Sequence, residues 1–219
     1  MTRDIDHEAG IAATEDGHRV TVELRQTREG RLEFANGAAR LSMRGADPNG
    51  DLLRARFRGS PPRVRLEAEA VVVRYPLVSL PLEWRRRGAE LELTTSVPWE
   101  ILIRGGASGV RADLRSLDVS AVRVGGGVSD VELSLPAPTR PVEVRIDGGA
   151  SSVRIVRPRG VPVRLQVARG SSRLEFDDES FGAVGGRLRL RSDGFDEADG
   201  GRYDVVVGGG ASRLSVTAA

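Results

Sequence analysis

Cysteine is absent from the 219 residues, which excludes disulfides, thiolate metal sites and thiol catalysis and fits a reducing compartment. Lysine is absent as well, so all 33 basic side chains are arginine, set against 31 acidic ones. Aromatic residues make up only 4%, and a core therefore has to be built from Val, Leu, Ile and Ala. No apolar run exceeds a few residues, that at 71–73 being typical, and none can cross a bilayer as a helix. Residues 1–17 are polar and acid-rich and lack the apolar stretch of a secretory signal. These absences lead to the expectation of a soluble, cytoplasmic chain that meets a membrane only through a partner.

The missing lysine also explains a misleading number. The pI of 9.8 suggests a nucleic-acid binder, yet the formal net charge is only +2. Between about pH 7 and 10 almost nothing can titrate except the α-amino group and the tyrosines, so the pI drifts upward for want of buffering groups. It reports no basic surface, and no nucleic-acid partner is expected. Arginine without lysine reads as a GC-rich coding bias.

What is abundant is glycine, 27 residues against an average usage of about 7%. The glycines head a repeated phrase: glycine, two small residues, any residue, then two apolar residues one position apart. It occurs as Gly106-Ala107-Ser108 with Val110, and as Gly127-Val128-Ser129 with Val131 and Leu133. It returns as Gly149-Ala150-Ser151 with Val153 and Ile155, and as Gly170-Ser171-Ser172 with Leu174 and Phe176. The last copy is Gly210-Ala211-Ser212 with Leu214 and Val216, and Gly37-Ala38-Ala39 with Leu41 and Met43 is a fainter early one. Glycines 106, 127, 149, 170 and 210 are spaced 21, 22, 21 and 40 residues apart.

Between the copies lie further alternating runs: Val122-Val124, Val142-Val144-Ile146, Val163-Leu165-Val167, Leu188-Leu190 and Val205-Val207. Alternation with period two is the mark of a strand with one buried face, and helical periodicity is nowhere convincing. About 21 residues holding two short strands and a glycine corner match one turn of a parallel β-solenoid. Successive turns would stack roughly 4.8 Å apart. Glycine suits the corners because it accepts positive φ, or because a neighbouring rung passes too close for a Cβ. The residue between the two apolar positions should face solvent, and in successive copies it reads Arg111, Glu132, Arg154, Glu175. Stacked in that order, the four would form a column of alternating sign.

The chain divides by this pattern into a polar segment 1–19, a β-rich portion 20–104 and a glycine-cornered solenoid 105–219. Strand-like runs at 20–24, 31–34, 52–57, 64–73 and 91–93 are less evenly spaced, with Pro61-Pro62, Pro76 and Pro81 marking turns or edges. They read either as early rungs or as a sheet packed beside the stack. The 40-residue interval before the last copy reads as two irregular turns, or as one turn with an excursion over an edge.

The stretches Gly105-Gly106-Ala107-Ser108, Gly148-Gly149-Ala150-Ser151-Ser152 and Arg202-Tyr203-Asp204-Val205 leading to Gly209-Gly210-Ala211-Ser212 resemble the repeats of bacterial toast-rack domains. These include the soluble part of LiaF-like cell-wall-antibiotic response proteins; residues 41–45 and Pro98-Trp99 fit the N-terminal portion more loosely. The resemblance implies a right-handed solenoid and a part in envelope-stress sensing. Transmembrane helices, which often precede the domain in that family, are missing here. Bactofilins, polymerising bacterial β-helices, are a fold-level analogy only.

No residue type in this pattern assembles a catalytic, cofactor or metal site. His7 and His18 fall in the polar N-terminal segment and are expected to fray with it. Asp193, Asp196 and Asp199 beside Glu197 lack the ligand spacing of a calcium loop and read as a solvated acidic loop. Asp177-Asp178-Glu179 reads as a turn rather than a carboxylate pair for glycoside chemistry. Gly125-Gly126-Gly127 and Gly208-Gly209-Gly210 precede no helix and have no P-loop lysine. Arg85-Arg86-Arg87, flanked by Glu83 and Glu90, reads as a solvated turn. The leading expectation is a non-catalytic adaptor or scaffold with a protein partner in envelope-stress signalling. The alternatives are self-assembly through the open end rungs, with residues 211–216 at the contact, and a β-helix carbohydrate-active enzyme.

Overall fold

The structure is a computed structural model that describes residues 10–47, 49–68, 70–76 and 87–219. His7, Pro81, Glu83, Arg85 and Arg86 lie outside them. Every element of regular structure among the described residues is a strand. The first seven are β1 (Ile11–Ala13), β2 (Arg19–Glu23), β3 (Gly30–Phe34), β4 (Ala38–Ala46), β5 (Asp51–Arg58), β6 (Arg63–Glu67) and β7 (Ala70–Arg74). Then come β8 (Gly88–Thr94), β9 (Pro98–Ile103), β10 (Ala107–Asp113), β11 (Asp118–Val124), β12 (Val128–Ser134), β13 (Pro141–Ile146) and β14 (Ala150–Arg157). The last six are β15 (Val163–Val167), β16 (Leu174–Phe176), β17 (Glu179–Phe181), β18 (Leu188–Arg191), β19 (Arg202–Val207) and β20 (Ala211–Ala218).

Two sheets face each other across one core. The first runs β1-β2-β5-β8-β4-β10-β12-β14-β20-β16-β17, the second β18-β15-β19-β13-β11-β9-β3-β7-β6. From β8 to β16 in the first, and from β15 to β7 in the second, all neighbours are parallel. The chain crosses from the second sheet to the first at a glycine corner, so each rung of this solenoid-like stack holds one strand from each sheet. Alternation explains the burial: in β12, Val131 and Leu133 point inward while Glu132 faces solvent.

The corners need glycine because rungs touch there. A Cβ on Gly148 would lie 2.5 Å from the Gly127 nitrogen, and one on Gly209 would lie 2.7 Å from the Gly149 nitrogen. These glycines do not have positive φ. The left-handed backbone sits instead at the unspecified residue of the repeat, at Arg40 (φ 48°), Gly109 (64°), Asp130 (53°), Ser152 (54°) and Arg213 (54°). Cross-strand pairing passes from Ser108–Ser129 to Val110–Val131 and leaves out Gly109 and Asp130. One rung after another thus carries the same kink just past its corner.

The order of the stack departs from the order of the chain. Corner hydrogen bonds trace it: Ala38 N–H donates to Gly106 O (3.0 Å), Ala107 N–H to Gly127 O (3.1 Å) and Val128 N–H to Gly149 O (2.8 Å). Ala150 N–H then donates to Gly210 O (3.0 Å), and Ala211 N–H to Gly170 O (2.9 Å). The last rung in sequence, β19–β20, is therefore wedged between β13–β14 and β15–β16. At the other end β3–β4 is wedged between β9–β10 and the strands β7 and β8. The expected column of alternating charge is corrected by this: Arg111, Glu132 and Arg154 are consecutive, but the neighbour of Arg154 is Ser215, and Glu175 comes after it. The expected contact strand at 211–216 is corrected too, because β20 is paired on both sides.

The core columns are nonetheless continuous. One runs Ala89, Leu41, Val110, Val131, Val153, Leu214, Leu174, all buried. The facing sheet supplies Val71, Leu32, Ile101, Val122, Val144, Val205 and Leu165. Burying each such side chain fully is worth about 1.5–3 kcal/mol, but only once its neighbours are in place. The two fully buried polar-tipped aromatics among the described residues are satisfied inside: Trp99 Nε1 donates to Thr94 O (2.8 Å) and Tyr203 Oη to Pro136 O (2.8 Å). Gly30 opposes Trp99, where a Cβ would stand 2.7 Å from the indole.

Antiparallel strands close both ends. β5, β2 and β1 continue the first sheet, and β6 folds back on β7, so the run at 64–73 is a hairpin rather than one strand. Residues 20–104 accordingly contribute both rungs and end strands. In the 40-residue interval, β17 and β18 return antiparallel along the outermost rung, β15–β16, an excursion over the edges rather than two further turns.

Candidate functional site

The residues weighed as sites in the sequence are structural wherever they are described. His18 does not fray with the N-terminal segment. Its carbonyl accepts from Phe57 N–H (2.7 Å), and its Nδ1 lies 3.0 Å from Phe57 O, one step beyond the Arg19–Arg56 pair that ends the β2–β5 ladder. Asp16 beside it caps the turn, and hydrogen bonds from the Thr14 hydroxyl and the His18 N–H hold its carboxyl below the usual range. The loop 192–201 does not converge its carboxylates: Asp196 pairs with Arg191 (2.8 Å). Phe195 is buried there beneath the guanidinium groups of Arg164 and Arg202. No group of three or more metal-ligating side chains occurs among the described residues. The triple glycines are corners; a Cβ on Gly208 would meet Asp147 O at 2.4 Å. Arg87 stacks on the Tyr75 ring and donates to Pro76 O (2.9 Å).

Asp177 adopts φ 49° and pairs with Arg157 at 2.7 Å. Arg157 is 4% exposed, and its Nε and Nη1, like Asp177 Oδ1, have no partner. A groove of about 410 Å³ opens beside this pair at the far end of the stack.

The outer faces of the two sheets differ. Along the middle of the second sheet, charges are matched: Glu100 sits between Arg31 (3.3 Å) and Arg123 (2.6 Å), Arg123 reaches Glu143 (3.2 Å), and Arg164 meets Asp204 (2.6 Å). On the first sheet, a groove of about 560 Å³ crosses β2, β5, β8 and β4. Its floor is the backbone at Val20, Ala55 and Leu91, whose side chains point into the core. One wall is Arg19, Arg56, Glu90 and Ser42; the other is Thr21, Arg54, Glu92 and Arg44. Glu92 is engaged by Arg44, Glu90 by Arg58, and Arg54 by Asp51 (2.7 Å). Arg19 and Arg56 oppose each other across the β2–β5 ladder, and neither has an acidic partner among the described residues.

Sequence reasoning passed over this groove. The signal was present in Arg54-Ala55-Arg56-Phe57-Arg58, where arginine at every second position gives one strand a cationic face. What could not be read there is the antiparallel register that brings Arg19 opposite Arg56.

Two comparisons with known proteins bear on this architecture. Residues 11–156 match the family model described as "N-terminal domain of toast_rack, DUF2154". A solved structure described as a "putative cell adhesion protein" from Clostridium sporogenes superposes with a TM-score of 0.66 at 18% identity. It covers 92% of this chain and 98% of that one. At that identity the likeness is one of fold. A search of curated protein sequences finds no match.

Proposed function

The chain belongs to the toast-rack N-terminal domain family, and from that premise we propose that it is a non-catalytic interaction domain, an adaptor or scaffold in the bacterial cell-envelope stress response. The observation that carries the reading is the family match over residues 11–156 on a rigid two-sheet stack whose wide outer faces are lined with arginine and carboxylate side chains. Such faces suit docking of a protein partner, and among the described residues no constellation resembling an acid–base pair or an activated nucleophile stands on them. The described cell-adhesion role of the structural neighbour is of the same kind. Right-handed winding with a period of about 21 residues belongs to this reading. So does a cytoplasmic place at the membrane: no helix among the described residues is long and apolar enough to cross a bilayer, and attachment would run through the partner.

Cross-linking and affinity capture of the full chain from its native host, with and without a cell-wall antibiotic, test the proposal. The expected result is recovery of a membrane or signalling component of the stress response. Recovery of none under either condition would remove that pathway assignment.

A further inference from the structure

We propose that the groove across β2, β5, β8 and β4 is a binding site for a phosphate group, held between Arg19 and Arg56 on one wall and Arg54 on the other. The first reason is charge. The groove is lined by four arginines and two glutamates, an excess equal to the formal net charge of the entire chain. Along the middle of the second sheet, by contrast, Arg31, Arg123 and Arg164 sit beside carboxylates.

The second reason is pairing. Like charges directly opposite on neighbouring strands destabilise a sheet, and Arg19 faces Arg56 in that relation. The nearest carboxylates are committed elsewhere: Glu90 turns away to Arg58, and Asp51 holds Arg54 from outside the groove. Two exposed guanidinium groups are left with ten donor hydrogens and no side-chain acceptor among the described residues. A bound dianion would turn this repulsion into attraction.

The third reason is shape. Guanidinium forks match phosphate oxygens in bidentate geometry, and the two walls present forks from opposite sides of a channel about 560 Å³ in volume. The strands on either side fix the stems, since Val20, Ala55 and Leu91 between them are buried. Thr21 and Ser42 add hydroxyls at diagonal corners of the channel. A phosphate monoester is favoured over a single carboxylate because two negative charges are needed to balance the unpaired cations.

The experiment follows amide chemical shifts of the full chain during titration with inorganic phosphate, then repeats the titration on Arg19→Gln/Arg56→Gln and on Arg140→Gln. Arg140 lies on the other sheet side and pairs with Asp118. Saturable shifts confined to β2, β5, β8 and β4, weakened about tenfold or more in the double variant and unchanged in Arg140→Gln, are expected. Binding should weaken as sodium chloride is raised. Thermal melting checks that the double variant folds; phosphate should raise the melting temperature of the parent and leave the variant's unmoved. A second arm uses neutral-lipid vesicles with and without phosphatidic acid. Cosedimentation that depends on phosphatidic acid and on Arg19 and Arg56 supports a lipid headgroup as the source; shifts with inorganic phosphate but no cosedimentation support a free phosphate compound. Absence of saturation in both arms, or equal binding by the double variant, overturns the site. Either result leaves the protein-partner proposal to its own test.

Discussion

From Pro98 to Arg157 the chain climbs the stack in the order in which it is written: β9–β10, β11–β12, β13–β14. At both ends it doubles back, and the rung nearest each terminus is pushed into the interior while its neighbour in sequence becomes the outermost. The difference shows two ways of meeting the same difficulty. An inner rung has partners above and below, so a repeated phrase suffices. An end rung leaves a row of unpaired amides that invites another strand. Here each exposed edge is given to a short antiparallel strand: three residues in β1 and β17, and arginines on β18 (Arg189, Arg191) and β6 (Arg63, Arg65). The terminal rung, held on both sides, cannot peel away alone. A bactofilin-like polymer growing from open ends has no parallel edge to grow from among the described strands.

The sharpest contrast between interior and end is at glycine. Gly148→Val forces a side chain into the backbone of the preceding corner, where even a Cβ stands 2.5 Å from Gly127 N and 2.7 Å from Gly126 C. The expected loss exceeds about 3 kcal/mol, seen as little folded protein or a much lower denaturation midpoint. Gly185→Ala, in the excursion near the end, meets nothing within 4 Å and has no positive φ. Its midpoint should match the parent's, and a comparable loss in both would mean that the corners are not in contact.

Next in size is the wedged rung itself. Leu214 is 1% exposed in the central strand β20, whereas Leu188 is half-buried on the edge strand β18. Leu214→Ala should cost about 3 kcal/mol in denaturant unfolding, and Leu188→Ala below about 1 kcal/mol. Equal costs would break the assignment of the C-terminal strand to the interior.

That assignment is the part of the fold the repeats could not express. Corners, inward columns and strand alternation were legible because each depends on residues a few positions apart: Gly106-Ala107-Ser108 and Val110 suffice to place one corner and one core position. The choice of which rung follows β13–β14 depends on no local property. Leu174 and Leu214 are the same residue in the same column, and Gly170-Ser171-Ser172 and Gly210-Ala211-Ser212 are near-equal corners. What separates them is tertiary: Gly170 is covered by Val184, whose carbonyl would lie 2.3 Å from an added Cβ. Of the corner glycines only Gly37 (φ 90°) and Gly170 (φ 78°) have the positive φ expected of them; in the other rungs it lies three residues later, at positions such as Asp130 and Arg213 whose side chains give no sign of it. The phosphate groove failed to register for a like reason, since half of its cations come from β5 and the Arg19 that opposes Arg56 lies 37 residues before it (56 − 19).

Smaller still is the expected response to alkali, which reads two buried tyrosines, one beside the outer strand β7 and one on the wedged strand β19. Burial pushes the Tyr75 phenol up to about 12, against a smaller opposing pull from Arg87. Burial, followed by the charge of Asp118, raises Tyr203 further. Their folded pKa values lie above the unfolded value near 10, so above that pH the unfolded chain releases protons the folded one keeps, and stability falls. With neither lysine nor cysteine, unfolding free energy should stay level from about pH 8 to 9.5 and then drop by of order 2 kcal/mol per tyrosine toward pH 12. Tyr75→Phe and Tyr203→Phe should each remove part of that slope; an unchanged slope in either would place its ring in water. At neutral pH Tyr203→Phe should also cost about 1 kcal/mol, since Pro136 O loses its donor.

The smallest effect distinguishes stack order from chain order directly. Glu132 stands between Arg111 and Arg154, with its carboxylate 4.0 Å from Arg111. Glu132→Arg would put three arginines in one exposed column and should destabilise by about 0.5–1 kcal/mol, the loss shrinking in high salt. Glu175→Arg makes the same change at what would be the next place in chain order. There its cross-strand neighbour is Ser215, with Arg154 one strand beyond. Glu175 also lines a shallow groove with Arg173 and Arg213, so its expected cost is a few tenths of a kcal/mol, below that of Glu132→Arg, with a weaker response to salt. If Glu175→Arg instead matched Glu132→Arg in size and salt response, β16 would lie against β14 and the wedge of β20 between them would be refuted. The two charge reversals are chemically identical, so a larger, more salt-sensitive loss at Glu132 reports the directly opposed arginines that only that position has.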